Sequence, residues 1–396
     1  MQPRLRLDIG WTDLASALLP VKANRSAVLK RIAAHAPTST HAVVGLSVRS
    51  LFDAILAETG DAPVIMSAIT ISDMATLAAE HGRTIKTVDI SMDKLTPTPD
   101  AIVRAAGDDR GIIVIAHLYG GRTAVGQIAA SAPTSLIIED CAQAFDGALD
   151  IAPGAAVALF SFGPIKSATA LGGAIGLFRD PDLANRVLRR MDGWPALDES
   201  WFLRRIAKFA GLKLLNASWL YGLFFTCLLA LHKDPEIVIG RMARSFAAGR
   251  PIAETVRRRP PLRLLRLLER RLGNWRAPPD VTGPMLEKLS RMFTVPGVAA
   301  KPKHWWLAPM LTDDPDTMIA ALRCIGYDAT RGATSMRVIG GDDAHETPQA
   351  TRLINSVVYL PKPRNRKEAA LLASAIEAAT RNLKAPDSSG NDLPSP

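Results

Sequence analysis

Short apolar runs alternate with longer amphipathic stretches over residues 41–178. The runs lie at 43–45, 63–66, 84–88, 111–116, 136–138, 157–160 and 176–178. Each run has the length of a buried strand, and most of the stretches between them have the periodicity of helices. Strands that alternate with helices build mainly parallel sheets. The pattern therefore predicts an α/β domain with a mainly parallel sheet flanked by helices.

Polar residues follow several predicted strands at the point where each strand ends. They are Ser47, Ser67 to Thr70, His117, Asp140 and Ser161. Ligands of such sheets bind at the carboxyl ends of the strands. Lys166 follows the 157–160 strand and precedes the pair Gly172-Gly173, which permits close backbone approach. We expect Asp140 and Lys166 to lie together in a ligand site at this edge of the sheet.

The polar turn 47–50 lies between a strand and a helix. Free backbone N–H groups and the helix dipole make such a turn a natural anion site. An ordinary helix cap formed by Ser47 explains the same pattern, and both interpretations stay open at this point.

The chain changes character after residue 178. Residues 186–213 are helical in pattern and rich in arginine and tryptophan, and 214–231 is almost wholly apolar. Its eighteen residues are barely enough to cross a bilayer, which takes about 20 residues. We favour a helix that is buried or covered by a partner subunit. An in-plane or re-entrant contact with an anionic membrane surface is the alternative, and a full crossing is least favoured.

Positive charge is concentrated just beyond this apolar stretch. The chain has a net charge of +10, and residues 241–276 hold eleven arginines and two acids. Residues 262–272 predict a helix with an apolar stripe at Leu264, Leu265, Leu268 and Leu272. We favour a helix that joins two domains and has a solvated basic face. The alternative is that this face binds anionic headgroups or substrate phosphates. No nucleic-acid motif accompanies the charge, so we expect no nucleic-acid partner.

The domain organisation follows from these changes. We expect an N-terminal arm and helix at 1–40, a large cofactor-binding domain at 41–200, and an apolar, arginine-rich insert or linker at 201–276. Strands at 304–310 and 356–361, each followed by a helix, predict a smaller α+β domain at 277–384, and 385–396 has a disordered composition.

The compartment is suggested by the N-terminus and the cysteines. The chain starts without the apolar segment of a secretion signal, and its three cysteines are far apart and lack metal-ligand spacing. We therefore expect reduced thiols, no metal site and a cytoplasmic protein. Peripheral attachment to the inner face of the membrane is the alternative.

The predicted site suits pyridoxal 5'-phosphate. This cofactor needs an amine for a Schiff base, a carboxylate beside its pyridine nitrogen and an anion site for its phosphate. Lys166 offers the amine and Asp140 the carboxylate, while Gln143 can donate to the ring hydroxyl. Ser161 and Ser50 can bind the phosphate.

The same residues resemble the DegT/DnrJ/StrS family of sugar aminotransferases, over about 43–178. The family pattern appears as Glu139-Asp140-Cys141-Ala142-Gln143-Ala144, then Ser161-Phe162, Lys166 and Gly172-Gly173. His117-Leu118-Tyr119-Gly120 matches the upstream element, and Val48-Arg49-Ser50 matches the phosphate loop. The resemblance implies fold type I, the fold of a large group of pyridoxal-phosphate enzymes.

The resemblance also implies roles. It makes Lys166 the Schiff-base residue and a proton carrier, Asp140 the partner of the pyridine nitrogen, and Gln143 the partner of the ring hydroxyl. Ser161 and the turn Ser47, Val48, Arg49 and Ser50 would hold the phosphate; Thr70 is a further cofactor candidate and His117 a further catalytic candidate. The implied reaction moves an amino group from an amino acid such as glutamate to a keto-sugar linked to a nucleotide, in a homodimer.

Three positions depart from the family pattern. Ile71 stands where an aromatic residue is usual, Val48 replaces a glycine, and the partner-subunit segment Asn-Tyr-Arg-Met-Ser is missing from 200–276. Two alternatives therefore stay open beside the sugar aminotransferase. One is a membrane-associated enzyme that acts on a lipid-linked substrate, and the other is a degenerate, non-catalytic family member.

Overall fold

The structure is a computed structural model that describes residues 1–4, 6–20, 22–107, 111–243, 251–300, 302, 304–332, 336–340 and 346–384. The tail predicted at 385–396 and two of the arginines of 241–276 (Arg244 and Arg250) lie outside the described residues.

A seven-stranded sheet forms the centre of the larger part of the chain. The first eight strands are β1 (His41–Gly45), β2 (Val64–Ser67), β3 (Ile69–Ile71), β4 (Ile85–Val88), β5 (Ile112–Ala116), β6 (Leu136–Asp140), β7 (Val157–Ser161) and β8 (Ala174–Phe178). The strand order in the sheet is β1-β8-β7-β6-β5-β2-β4. The strands β7, β6, β5, β2 and β4 pair in parallel, and β8 pairs antiparallel with both of its neighbours, β1 and β7. The predicted mainly parallel sheet is confirmed.

Helices cover both faces of this sheet. In chain order the helices are α1 (Trp11–Leu18), α2 (Arg25–Ala33), α3 (Val48–Ala57), α4 (Ser72–Glu80), α5 (Pro99–Ala106), α6 (Val125–Ser131), α7 (Pro181–Asp192), α8 (Glu199–Leu214), α9 (Ser218–Ala230), α10 (Pro235–Ala243), α11 (Ile252–Val256), α12 (Leu262–Asn274), α13 (Thr282–Leu289), α14 (Pro315–Cys324), α15 (Pro348–Ser356) and α16 (Arg366–Lys384), with a 3₁₀ turn at Val298–Ala300. Ile112 and Val114 pack with α3 and α7, while Ile113 and Ile115 pack with α5 and α6. Burial on both faces explains why these strands read as continuous apolar runs.

The C-terminal part is a smaller α+β unit. It contains β9 (Ala308–Leu311), β10 (Met336–Val338) and β11 (Val357–Leu360), and β9 pairs antiparallel with β11. The strand predicted from 304 begins only at Ala308, because the preceding residues bind the loop after β5 instead: the N–H of Trp306 donates to the carbonyl of Tyr119. β10 pairs antiparallel with β3 in a separate two-stranded sheet, and β3 follows β2 of the large sheet in the chain.

The apolar stretch 214–231 forms one helix, α9, which follows α8 after a sharp bend. α8 ends at Leu214, α9 begins at Ser218, and their axes differ by 97°. Within the described residues no single helix is long and apolar enough to cross a membrane, although the bent pair α8–α9 has the length and composition to do so. α9 buries Tyr221, Phe225 and Leu228 but leaves Trp219 74% and Leu223 57% exposed.

The arginines of the following stretch are largely paired within the chain. Five of them have carboxylate partners: Arg257 with Asp53, Arg263 with Glu199, Arg266 with Glu269, and Arg270 and Arg271 with Asp13. The predicted apolar stripe of α12 is buried, with Leu264, Leu265 and Leu268 fully covered. Carboxylates of the same chain therefore neutralise much of this positive charge, so these arginines do not require an external anionic partner.

Candidate active site

The polar ends of β5, β6 and β7 meet at one edge of the sheet. Asp140 is the last residue of β6, and His117 follows β5 directly. Burial raises the pKa of Asp140; the Ala142 N–H, and the charges of Lys166, His117 and Arg49, act in the opposite direction. Because such effects fall off with distance, these groups lie close together. Asp140 and Lys166 therefore act on each other's protonation at this edge of the sheet.

Lys166 lies in the loop after β7 and has an unusual environment. Its Nζ atom is 3.9 Å from the centre of the Trp306 ring. Burial lowers the pKa of Lys166 to about 8, against the attraction of Asp140, and the charge of Arg49 lowers it further. A nucleophilic amine must be neutral, so this surrounding prepares Lys166 for attack on a carbonyl.

Trp306 is a site residue that the sequence did not reveal. Its backbone N–H donates to the carbonyl of Tyr119 (2.9 Å), and its indole Nε1–H donates to the carbonyl of Ile165 (2.8 Å). Gly120 permits this docking: its φ is +105°, and a Cβ there would lie 2.2 Å from the carbonyl oxygen of His304. In the sequence, the glycine of the His-Leu-Tyr-Gly element indicated that another segment approaches closely here. It did not indicate that this segment contains Trp306.

Gln143 is oriented by the same loop. The N–H of Tyr119 donates to Oε1 of Gln143 (3.0 Å), so the amide nitrogen points the other way. There Nε2 contacts only the weak acceptor Sδ of Met336, at 3.5 Å. The side chain is thus held with its donor directed away from the loop, as a contact to a ring hydroxyl requires.

His117 has both ring nitrogens engaged. The N–H of Thr123 donates to Nδ1 (3.2 Å), which assigns the proton to Nε2, and Nε2 donates to Oε1 of Glu139 (2.8 Å). Although burial acts to raise the pKa of Glu139, the hydrogen bonds from His117 and from the N–H of Ala152 hold it below its usual value. With no free nitrogen, His117 is better placed to position its neighbours than to exchange protons with a substrate.

Cys141 lies beside this pair. His117, Glu139 and Cys141 offer metal-type donor atoms within 4.8 Å of one another. The second oxygen of Glu139 accepts from the N–H of Ala152 (2.8 Å), so the histidine and carboxylate donors already serve protein hydrogen bonds. We assign no metal to them.

The turn before α3 differs from the predicted phosphate loop at one residue. Ser47 caps α3 by accepting from the N–H of Ser50 (3.2 Å). The hydroxyl of Ser50 is fully buried and donates to the carbonyl of Val256 (2.7 Å), so it has no proton left to donate to a phosphate. The N–H groups of Val48 and Arg49 belong to the first turn of α3, which a helix leaves unpaired and which suits an anion.

Two further hydroxyls point to a missing ligand. Within the described residues Ser67 Oγ and Thr70 Oγ1 are buried and have no hydrogen-bond partner. A buried hydroxyl without a partner costs free energy, so such groups are expected to meet a bound molecule. Thr70 lies on β3, and Ser161, at the end of β7, is partly exposed. Amine, buried carboxylate, amide donor, hydroxyls and helix N-terminus together fit pyridoxal phosphate.

The fold and this set of groups define a pyridoxal-phosphate enzyme of fold type I. Residues 33–195 match the model of the DegT/DnrJ/EryC1/StrS aminotransferase family. The chain is accordingly an aminotransferase-type enzyme that uses pyridoxal phosphate.

Solved structures of similar fold cover nearly the whole chain. The aminotransferase TlmJ from Streptoalloteichus hindustanus is 17% identical with a TM-score of 0.66, over 97% of this chain and 100% of that chain. The sugar aminotransferase CalS13 from Micromonospora echinospora is 14% identical with a TM-score of 0.62, over 96% and 100%. DesV from S. venezuelae is 19% identical with a TM-score of 0.58, over 93% of each chain. At these identities the likeness shows the fold. A search of the curated proteins gave no match.

Proposed function

We propose that this chain transfers an amino group from an amino acid such as glutamate to a keto-sugar. The observation that carries the proposal is the convergence of Lys166 with the buried carboxylate of Asp140 and the oriented amide of Gln143. When bound, pyridoxal phosphate supplies the electron sink that amino transfer needs. A nucleotide on the sugar, implied by the family resemblance, stays a prediction.

Lys166 has two tasks in this proposal. Its amine would attach the cofactor and, once released by the amino-acid donor, would carry the proton that moves during amino transfer. A pKa lowered to about 8 suits both tasks, since the amine can give and take a proton near neutral pH. The Trp306 ring stabilises the charged form by cation–π contact and keeps the side chain in place.

Asp140 and Gln143 set the electronic state of the cofactor ring. The carboxylate of Asp140 would hold a proton on the pyridine nitrogen, and the amide of Gln143 would donate to the ring hydroxyl. The helix N-terminus at Val48 and Arg49, with Ser47, Ser161 and Thr70, would hold the phosphate. His117 would act as a positioning residue, since its hydrogen bond to Glu139 fixes the orientation of the imidazole.

The Asp140→Asn variant tests the proposal. An amide cannot hold the pyridine nitrogen protonated, so the variant should still take up pyridoxal phosphate through Lys166 but react with glutamate roughly 100-fold more slowly. Stopped-flow absorbance in the absence of any acceptor measures this half-reaction. An unchanged rate would remove Asp140 from its role. Wild-type protein that retains no pyridoxal phosphate would instead support the degenerate, non-catalytic alternative.

A further inference from the structure

A cavity of about 230 Å³ lies next to the loop that holds Lys166. Ile165 and Trp306 line it, and both belong to the surroundings of the lysine: one is its chain neighbour, and the other has its ring 3.9 Å from Nζ. Met336 also lines it and contacts the amide of Gln143. Residues that touch Lys166 and Gln143 therefore also form part of the cavity wall.

The walls of this cavity are apolar. They come from the insert helices and the C-terminal unit: Phe209, Leu215, Phe224, Ile239, Met242 and Leu360. One side of each of the helices α8, α9 and α10 therefore lines the cavity, which gives part of the apolar stretch after residue 213 a structural role.

The polar groups on the walls already have partners within the protein. Arg4 pairs with Asp328 (2.6 Å) and Glu236 (2.7 Å), and Tyr221 donates to Asp328. Asn216 accepts from the N–H of Leu7 (3.2 Å) and Arg331 pairs with Asp316 (3.2 Å). A polar or charged ligand would find no unmet partner among these groups, whereas an apolar ligand would displace only water.

We infer that the acceptor substrate carries an apolar chain, acyl or isoprenoid, that occupies this cavity while its carbonyl group reaches Lys166. The inference rests on the proposed function, because it concerns the group attached to the acceptor. Small-molecule sites usually measure about 300–1,000 Å³, so a cavity of about 230 Å³ holds part of a substrate and leaves its sugar-like head at the lysine.

Gly240 allows the cavity to be filled without damage to the fold. It lies in α10 and lines the cavity, and a Cβ there would have no heavy atom within 4 Å. Glycine in a helix interior is unfavourable, so Gly240→Leu should fold at least as stably as the wild type. Gly211→Leu is the matched control, because Gly211 is an exposed glycine of α8 that is equally free of close neighbours and does not line the cavity.

The binding experiment uses two sugars that differ only in the chain. Decyl glucoside, kept below its micellar concentration, and methyl glucoside are titrated calorimetrically into protein loaded with pyridoxal phosphate. We expect decyl glucoside to bind at least about tenfold more tightly, because each buried methylene adds to the affinity. Gly240→Leu should abolish this difference and Gly211→Leu should keep it. Equal binding of the two sugars, or unchanged binding to Gly240→Leu, would overturn the inference.

Two further measurements show where the acceptor comes from and which proposal a negative result refutes. Decyl glucoside offered in phosphatidylcholine vesicles identifies the source of the acceptor. Uptake from solution indicates a free conjugate, and uptake from vesicles alone indicates a membrane lipid. The glutamate half-reaction should be unchanged in Gly211→Leu, which does not line the cavity. Absence of this half-reaction from the wild type would refute the proposed function, while a chain-dependent affinity would still support the cavity assignment. A change in oligomeric state on Gly240→Leu would place the cavity at a subunit interface and contradict the inference.

Discussion

Arg49 lies close enough to Lys166 for its charge to lower the pKa of that amine. Replacing it by glutamine removes this repulsion, so in Arg49→Gln the pKa of Lys166 should rise from about 8. Below the pKa, each unit of rise lowers the neutral fraction of the amine about tenfold. Competitive acetylation of the apo-protein at a series of pH values, followed by mass spectrometry, measures the midpoint.

The expected result is a midpoint at higher pH for Arg49→Gln. Arg186→Gln is the control, because Arg186 is an exposed arginine that pairs with Glu58 at 3.7 Å. A midpoint that stays in place, or moves to lower pH, would contradict the assigned charge interaction.

At the residue scale, contacts local in sequence could be predicted and distant ones could not. Asp140, Gln143 and Lys166 lie within one segment, and the strand ends around them indicated a shared edge. Trp306 binds a carbonyl 141 residues away in the chain, and nothing local in the sequence announces that contact. For the same reason Ser50 looked like a phosphate ligand, although its hydroxyl is taken by a carbonyl 206 residues away.

The helix α12 holds the loop after Lys166. Arg271, on this helix, pairs with Asp13 (2.7 Å) and donates to the carbonyl of Thr169 (3.2 Å), and both charged side chains are buried. Removing one member of a buried pair leaves the other without compensation, so Arg271→Met should lower the free energy of unfolding by about 3 kcal/mol or more. Urea unfolding monitored by tryptophan fluorescence measures the loss.

Arg266 on the same helix provides the comparison. It is 44% exposed and pairs with Glu269, so Arg266→Met should cost less than about 1 kcal/mol. Equal losses in the two variants would show that α12 does not anchor the loop through Arg271.

At the element scale, the sheet could be predicted because every strand carries its own apolar run. The insert could not, because α9 is apolar on all sides and its sequence does not say which side is covered. The structure buries Tyr221 and Phe225 and exposes Trp219 and Leu223. The residues between α8 and α9 include no proline, so the sequence did not indicate the bend there.

At the scale of the whole molecule, the exposed face of α9 predicts a contact with a second copy. Trp219 is 74% and Leu223 57% exposed, and contiguous apolar surface of this kind marks interaction sites. We predict a homodimer in solution, which Trp219→Asp weakens by at least about tenfold, because a charge would be buried at the interface. Sedimentation velocity over a range of concentrations measures the dissociation constant.

Leu371→Asp is the control for this prediction. Leu371 lies on α16 and is 53% exposed, so a charge there should leave the dimer intact. A wild-type protein that stays monomeric at all concentrations would contradict the dimer. Binding of that monomer to anionic vesicles at low salt would then favour the membrane contact.

The central claim is that Lys166 holds pyridoxal phosphate. Borohydride reduction of the loaded protein, followed by peptide mass spectrometry, tests it most directly. Lys362 is the natural competitor, since burial lowers its pKa to about 8 as well. We expect the reduced cofactor on the peptide that contains Lys166, its loss in Lys166→Ala and its retention in Lys362→Ala. Cofactor on another lysine, or on none, would show that Lys166 does not bind it.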